Sequence, residues 1–162
     1  MNCQDAASES QTTRKVIAAV PSDKGDYTPD PKSMNALDLA WHIASSEIWF
    51  LEGVAAGKFS PGDPVRPADV ATSKDVLAYY DANFGPALKR AQSISSEDAA
   101  KIIDFYGVFQ LPAVVYVSFL LKHSIHHRGQ LSAYLRPMGA KVPSIYGGSA
   151  DEPFQMGSTA SA

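Results

Sequence analysis

The chain has 162 residues, a length typical of one domain, and its 14 basic and 17 acidic residues give a formal net charge of −3. Its 45% hydrophobic and 19% charged residues are typical of a globular protein and exclude disorder of the whole chain. A single cysteine, Cys3, excludes an intrachain disulfide and a cysteine-based zinc site.

The distribution of charge and of apolar residues argues against two classes of partner. The basic residues are scattered, whereas binding to nucleic acid needs lysines and arginines clustered on one face. The longest apolar run, Leu111 to Leu121, is far short of the ~20 residues that span a membrane. No secretory signal is visible at the N-terminus, so we expect a cytoplasmic protein that binds neither nucleic acid nor membrane.

Helical periodicity dominates the first half of the chain. A weakly amphipathic helix is predicted between Gln4 and Val20. From Met34 to Ala56 apolar residues recur at spacings of three and four, which predicts a helix with Ser33 as its N-cap and Gly57 just after its end.

The second half predicts three more helical segments. One spans Ser73 to Gln92 and is expected to kink or break at Gly85-Pro86, because Pro86 lacks the N–H that a helix interior requires. Another begins at Ser95 and leads to Phe105. The longest runs from about Pro112 to Arg136 and stops at Pro137 and Gly139.

No convincing strand alternation is present, and the residues after Gly139 have no helical period. We therefore predict one all-α domain over residues 1–162, a bundle of four main helices. Residues from about 140 to 162 are predicted to form an extended tail, partly docked through Ile145 and Tyr146.

The histidines are the most informative residues. His123 and His127 are four apart on the long predicted helix, so they share one face, and two imidazoles at that spacing can bind one divalent cation. The third ligand would come from another helix, where His42 is the candidate. Three imidazoles leave a coordination position open, as in catalytic sites, and suit Zn, Ni, Fe or Cu better than Ca or Mg. A packing role for each histidine is the alternative.

Other side chains lie near these histidines on the predicted helices. His126 faces about 60° away from the shared face of His123 and His127, so it is a neighbouring or a surface residue. Asp38, one turn before His42, either orients that imidazole or faces solvent. The remaining candidates for holding an imidazole or lining a pocket are Trp49, Tyr116, Gln130 and Tyr134, and the alternative for the tyrosines is packing between helices.

Two segments of the sequence resemble the DinB/YfiT-like (damage-inducible) proteins. LLKHSIHHRGQLSAYLRPMGAKVPSIYGGSADE, from Leu120 to Glu152, resembles the C-terminal helix and tail of that family. ALDLAWHIASSEIWFLEGV, from Ala36 to Val54, resembles its first histidine helix. The HxxxHRGQL signature with an upstream histidine helix is fairly specific, and the resemblance covers about residues 20–152.

The resemblance implies a fold, a metal site and an activity. The fold is a four-helix bundle with a long crossover, in up-down-down-up order. The metal, usually Ni or Zn, is held by three histidines that map onto His42, His123 and His127. Family members are often homodimers, and some branches are transferases that use low-molecular-weight thiols such as bacillithiol, mycothiol or glutathione, whereas others resemble hydrolases or isomerases.

Two functions remain open at this point. The first is a metal-dependent enzyme, most plausibly a transferase that joins a low-molecular-weight thiol to a small electrophile. The second is a non-catalytic, stress-associated binding protein in which the metal or the bundle is structural. The open coordination position favours the first, and the lack of a recognisable acid–base residue near the histidines favours the second.

Overall fold

The computed structural model describes residues 3–61 and 65–154, and within them the chain is mostly helical. Five helices and one pair of strands follow in the order α1 Cys3–Ala18, α2 Ala36–Ala56, α3 Ser73–Gln92, α4 Ser96–Ala100, β1 Ile102–Phe105, β2 Phe109–Pro112 and α5 Ala113–Leu135. None of these helices is long and apolar enough to cross a membrane.

Helix α2 begins two residues later than the periodicity predicted. Asn35, rather than Ser33, is the N-cap, because the Asn35 side chain accepts a 2.7 Å hydrogen bond from the backbone N–H of Asp38. At the other end Gly57 adopts the left-handed conformation with φ of 67°, as predicted for the residue after the helix.

Of the kink or break predicted in α3, the break is wrong, because the helix continues through Gly85 and Pro86. Both residues are exposed, and so is Ala82, whose carbonyl loses its helical partner at Pro86 and can be hydrated instead. The buried neighbours Phe84 and Ala87 anchor the helix to the core on either side of the proline. Packing of one face therefore offsets the missing hydrogen bond on the other.

The predicted helix from Ser95 to Phe105 is also wrong beyond its first turn. Ser95 caps α4 as expected, but α4 ends at Ala100, and β1 and β2 then form an antiparallel hairpin. Phe105 pairs with Phe109 at its turn, where Tyr106 and Gly107 have positive φ angles. A four-residue strand is too short to show a period of two, and only Ile103 of β1 is buried.

Helix α2 lies at the centre of the fold and packs against α3 and α5, and α1 also packs against α3 and α5. Helix α5 lies within a residue of its predicted bounds. The mostly helical prediction is thus confirmed, and the all-α description is corrected by the hairpin. The up-down-down-up order of a four-helix bundle stays a prediction.

Residues 140–154, the described part of the predicted tail, contain neither helix nor strand. Ile145 packs against the core, and the Tyr146 hydroxyl lies 2.5 Å from both Arg128 and Glu9. These contacts attach the tail to α5 and α1. Residues 155–162 of the predicted tail lie outside the described residues.

Candidate metal centre

Three histidines from two helices converge on one point. His42 projects from the middle of α2, and His123 and His127 project from successive turns of α5. The Nε2 atoms of His42 and His123 are 3.0 Å apart, and one ring nitrogen of each histidine lies within 4.8 Å of those of the other two. The prediction that His42 and the α5 pair meet is confirmed.

Two side chains orient the imidazoles. Nδ1 of His127 is 3.1 Å from Oε1 of Gln130, whose Nε2 donates a 3.1 Å hydrogen bond to the Tyr134 hydroxyl. The Ser46 hydroxyl lies 3.5 Å from Nδ1 of His42. A hydrogen bond from Nδ1–H to an outer partner keeps the proton on Nδ1, so that Nε2 carries the lone pair that can bind a cation. Gln130 therefore lies where the sequence predicted a residue that could hold an imidazole, and Tyr134 contacts Gln130.

The donor set fits a divalent transition metal. Neutral imidazoles suit Zn, Ni, Cu or Fe, and each metal–nitrogen bond is ~2.0–2.1 Å long. Two ligands of one ion can therefore be at most about 4.2 Å apart. The Nε2 atoms of His42 and His123, 3.0 Å apart, already meet this limit. Ring rotations that move each nitrogen by a few tenths of an ångström would bring two nitrogens 4.8 Å apart close to it.

The environment of His123 keeps its imidazole neutral. Burial is the main cause, the charges of His127 and His42 add to it, and together they lower the pKa of His123 to about 3. A cation therefore does not compete with a proton for this nitrogen at neutral pH.

This depressed pKa predicts that the metal-free protein loses stability in acid. The unfolded chain binds a proton at His123 below about pH 6.5, whereas the folded chain does so only near pH 3. The free energy of unfolding is therefore highest above pH 6.5, as far as His123 is concerned, and it falls progressively as the pH drops from 6.5 to 3. Melting temperatures of chelator-treated protein between pH 8 and pH 5 check this. His123→Gln should flatten the pH dependence and the exposed control His126→Gln should not; equal slopes for wild type and His123→Gln would contradict it.

An open cavity of about 380 Å³ lies over His42 and His123. Its other lining residues are Ser46 and four aromatic side chains, Trp49, Phe50, Phe105 and Tyr106. No charged side chain is among the described residues that line it. The histidines thus form the polar end of an aromatic cavity.

The structure places the other predicted site residues at different distances from this centre. Trp49 lines the cavity as expected. Tyr116 does not line it, because it is fully buried and its hydroxyl donates to the carbonyl of Ile103 at 2.9 Å. His126 is exposed beside His127, with ring centroids 4.8 Å apart.

Asp38 is engaged away from the role predicted for it. Its carboxylate accepts hydrogen bonds from the Arg66 Nε, at 2.6 Å, and from the Asn35 side chain, at 2.7 Å. These contacts tie the loop before α3 to the first turn of α2. Tyr134 is likewise absent from the described residues that line the cavity, and its hydroxyl accepts a hydrogen bond from Gln130.

Sequence reasoning missed the hairpin residues Phe105 and Tyr106, which reach the cavity only because residues 102–112 form strands. It also gave Ser46 no role and missed Phe50. The spacing of four between His42 and Ser46 was the available signal, since it places the hydroxyl one turn from the imidazole.

A buried polar cluster lies on the other side of the same helices. Glu47 is 3% exposed, and its carboxylate accepts hydrogen bonds from Thr13, at 2.7 Å, and from Tyr80. Burial raises the pKa of Glu47, while the hydrogen bonds and Arg128 oppose that rise. Arg128, 1% exposed, pairs with Glu9 and contacts the Thr13 hydroxyl at 3.4 Å.

One close approach behind the cavity predicts the effect of a small substitution. A Cβ added at Gly53 would lie 2.3 Å from the ring of Phe59, which packs against Trp49 with centroids 4.7 Å apart. Gly53→Ala should therefore displace Phe59 and cost about 1–3 kcal/mol of unfolding free energy. Chemical denaturation checks this, with the exposed helical Gly129→Ala as the control that is expected not to destabilise; equal losses for both variants would contradict it.

Comparison with known proteins assigns the chain to a family. The model of the DinB family matches residues 3–156. Two uncharacterized proteins of Bacillus subtilis are similar in sequence: YjoA is 26% identical over 134 residues, which cover 82% of this chain and 85% of YjoA, and YrdA is 27% identical over 148 residues, which cover 89% and 85%.

Two solved structures share the fold. The crystal structure of a DinB-like protein from Bacillus cereus superposes with a TM-score of 0.71 and 25% identity, covering 88% of this chain and 94% of that one. The crystal structure of YjoA, a DinB-like protein, has a TM-score of 0.68 at 23% identity and covers 83% and 90%. Because the family model matches nearly the whole chain, the protein belongs to the DinB family.

Proposed function

We propose that the protein binds a divalent transition metal, Ni or Zn, through His42, His123 and His127 and transfers a low-molecular-weight thiol to a small electrophile. The observation that carries this proposal is the meeting of three imidazoles, from two helices, of which those of His42 and His123 line an open cavity. A closed structural site would have a fourth protein ligand, whereas an open one leaves room for a substrate atom. Among the described residues the only such ligand group is this histidine trio.

The chemistry of the reaction divides between the ion and the chain. A bound divalent cation lowers the pKa of a thiol or a water that reaches it, which makes a nucleophile available at neutral pH. In the transfer, the thiol loses its proton to solvent, its sulfur forms a bond to the electrophilic carbon, and the leaving group departs from that carbon with the electron pair of the broken bond. The chain would supply the Nε2 ligands, two of them oriented by Gln130 and Ser46, and an aromatic cavity beside them.

A second candidate is a non-catalytic binding protein in which the metal is structural. One observation favours it: apart from the histidines, no residue able to take up or release a proton near neutral pH lines the described cavity. A homodimer, and bacillithiol, mycothiol or glutathione as the thiol, are further parts of the first proposal that rest on the family resemblance.

Spectroscopy of the loaded protein distinguishes the two candidates. We would measure the metal content of purified protein by elemental analysis, replace the metal by Co(II), and titrate with each of the three thiols. A thiol that enters the open position should change the Co(II) absorption bands, and Gln130→Ala should still bind the metal at saturating concentration but alter thiol affinity or turnover. Bands that no thiol changes, with His127→Ala mainly lowering the melting temperature, would support the structural role instead.

A further inference from the structure

The four aromatic rings that line the cavity take two orientations that are nearly perpendicular to each other, and together they form an aromatic corner of the cavity. Trp49 and Tyr106 are parallel within 6°, and Phe50 and Phe105 are parallel within 5°. Trp49 is inclined by 75° to Phe50 and by 77° to Phe105. All four rings line the same cavity.

We infer that this corner binds a planar, uncharged aromatic group of the substrate. An aromatic ring has a negative face and a positive edge, so it stacks on a parallel ring and points its edge at the face of a perpendicular one. A planar ligand in this corner can stack on a ring of one orientation and point its edge at the face of a ring of the other orientation. A saturated ring of the same size has neither the flat face nor the polarised edge. The inference rests on the proposed function only where it concerns the reaction of the ligand. Binding of the ligand needs only the side chains of the cavity.

The rings of Trp49 and Tyr106 are held in place before any ligand binds. The Trp49 Nε1–H donates to the carbonyl oxygen of Ser60 at 3.2 Å, and the Tyr106 hydroxyl donates to the same oxygen at 2.5 Å. One acceptor therefore fixes the polar ends of both rings. Side chains that are already immobilised lose little conformational entropy on binding, which favours affinity.

The backbone at Tyr106 is a second, independent observation. Tyr106 has φ of 54°, the only positive value at a described residue other than glycine. The left-handed conformation is unfavourable for a side chain with a Cβ and is tolerated where the surroundings fix it, often at functional sites. Here it keeps the Tyr106 ring at the cavity, although the residue is 51% exposed.

The charge and size of the cavity limit the ligand further. Since no charged side chain lines the described cavity, a carboxylate or an ammonium buried there would lose its hydration without a counter-charge. A volume of about 380 Å³ is near the lower end of small-molecule sites and suits one or two fused rings. His42 and His123 would lie beside one edge of such a ring system, where its reactive atom would have to be.

Calorimetric titration of the metal-free protein tests the inference directly. The probes are naphthalen-2-ylmethanol, its fully saturated analogue and the anion naphthalene-2-sulfonate. We expect the aromatic alcohol to bind at least about tenfold more tightly than the saturated one, and more tightly than the anion. Equal binding of the aromatic and saturated alcohols, or no binding of either, would overturn the inference.

Substitutions of the aromatic residues that line the cavity show whether the aromatic alcohol binds there. Tyr106→Leu and Trp49→Leu should each weaken binding of the aromatic alcohol roughly three- to tenfold, whereas Tyr106→Phe, which keeps the ring and loses only its hydrogen bond to Ser60, should weaken it less than Tyr106→Leu. Phe154→Leu, which removes an exposed ring elsewhere, is the matched control. Tyr106 is half exposed, so its variants should fold even if Trp49→Leu does not, and an unchanged affinity in Tyr106→Leu would contradict the assignment.

Repeating the titration with metal-loaded protein separates this inference from the proposed function. Binding of the aromatic alcohol to a protein that retains no metal would support the aromatic site and remove the metal-dependent transferase. Retention of metal by a protein that does not prefer the aromatic alcohol would do the reverse.

Discussion

Replacing His127 with alanine should lower the affinity for Ni(II) or Zn(II) by at least about 100-fold. Loss of an outer partner that merely orients a ligand costs 10–100-fold in affinity, so loss of a ligand itself must cost at least as much. His127 contributes one of three imidazoles, and His42 and His123 alone provide only two nitrogens, 3.0 Å apart. Competition with a chromophoric chelator at pH 7.5 measures the affinity.

Matched variants on the same helix make this prediction specific. His126→Ala removes an exposed imidazole next to His127 and should leave the affinity within about threefold of wild type. Gln130→Ala removes the partner of His127 Nδ1 and should fall between the two, at 10–100-fold. If His126→Ala and His127→Ala bind metal equally well, the histidine trio is not the site.

The second large effect is expected for Arg128→Met, which should lower the free energy of unfolding by about 3–5 kcal/mol at pH 7. Arg128 is buried and donates to the backbone carbonyl of Glu9 at 2.8 Å and to Tyr146 at 2.5 Å, and it pairs with the Glu9 carboxylate. Methionine fills much of the volume but leaves Glu9 and the buried Glu47 without their positive charge. Denaturant titration measures the loss.

The loss should also depend on pH, because Arg128 lowers the pKa of Glu47 while burial raises it. Without Arg128 the pKa of Glu47 rises further above its unfolded value. A raised folded pKa favours folding below the unfolded value, near 4.5, and the benefit is lost as the pH rises, so the variant should be closer to wild type at pH 5 than at pH 8.

Arg90→Met is the control for the stability measurement. Arg90 pairs with Glu52 at the surface, where both side chains are well exposed and such a pair contributes little to stability. Equal losses for Arg128→Met and Arg90→Met would mean that the buried cluster contributes nothing beyond a surface ion pair.

The sequence predicted those parts of the site that depend on spacing along one helix. Residues four apart on α5 share a face in any helix, so His123, His127 and the nearby Gln130 could be placed without tertiary information. His42 followed from the amphipathic pattern of α2 and from the count of histidines. The resemblance to the DinB-like proteins, which the family match confirms, also indicated that these two segments form one site.

Features that depend on contacts between distant segments were missed. The buried partners of Glu47, Thr13 and Tyr80, lie 34 and 33 residues away in the sequence and leave no trace in local periodicity. The proline in α3 is tolerated because of which face is exposed, and the hairpin that carries Phe105 and Tyr106 is too short to show a period. Both outcomes are decided by tertiary packing, which overrides local propensity.

The separation of the ligands along the chain couples metal binding to folding. His42 and His123 are 81 residues apart, so an ion held by both closes a loop of that length, which includes α3, α4 and the hairpin. The unfolded chain would pay the entropy of closing this loop before it could offer the same ligands, so the ion should bind the folded state preferentially. At a free metal concentration 100 times the dissociation constant, the folded state gains about 2.7 kcal/mol, and amide hydrogens of α3, which contributes no ligand, should exchange more slowly when the metal is bound.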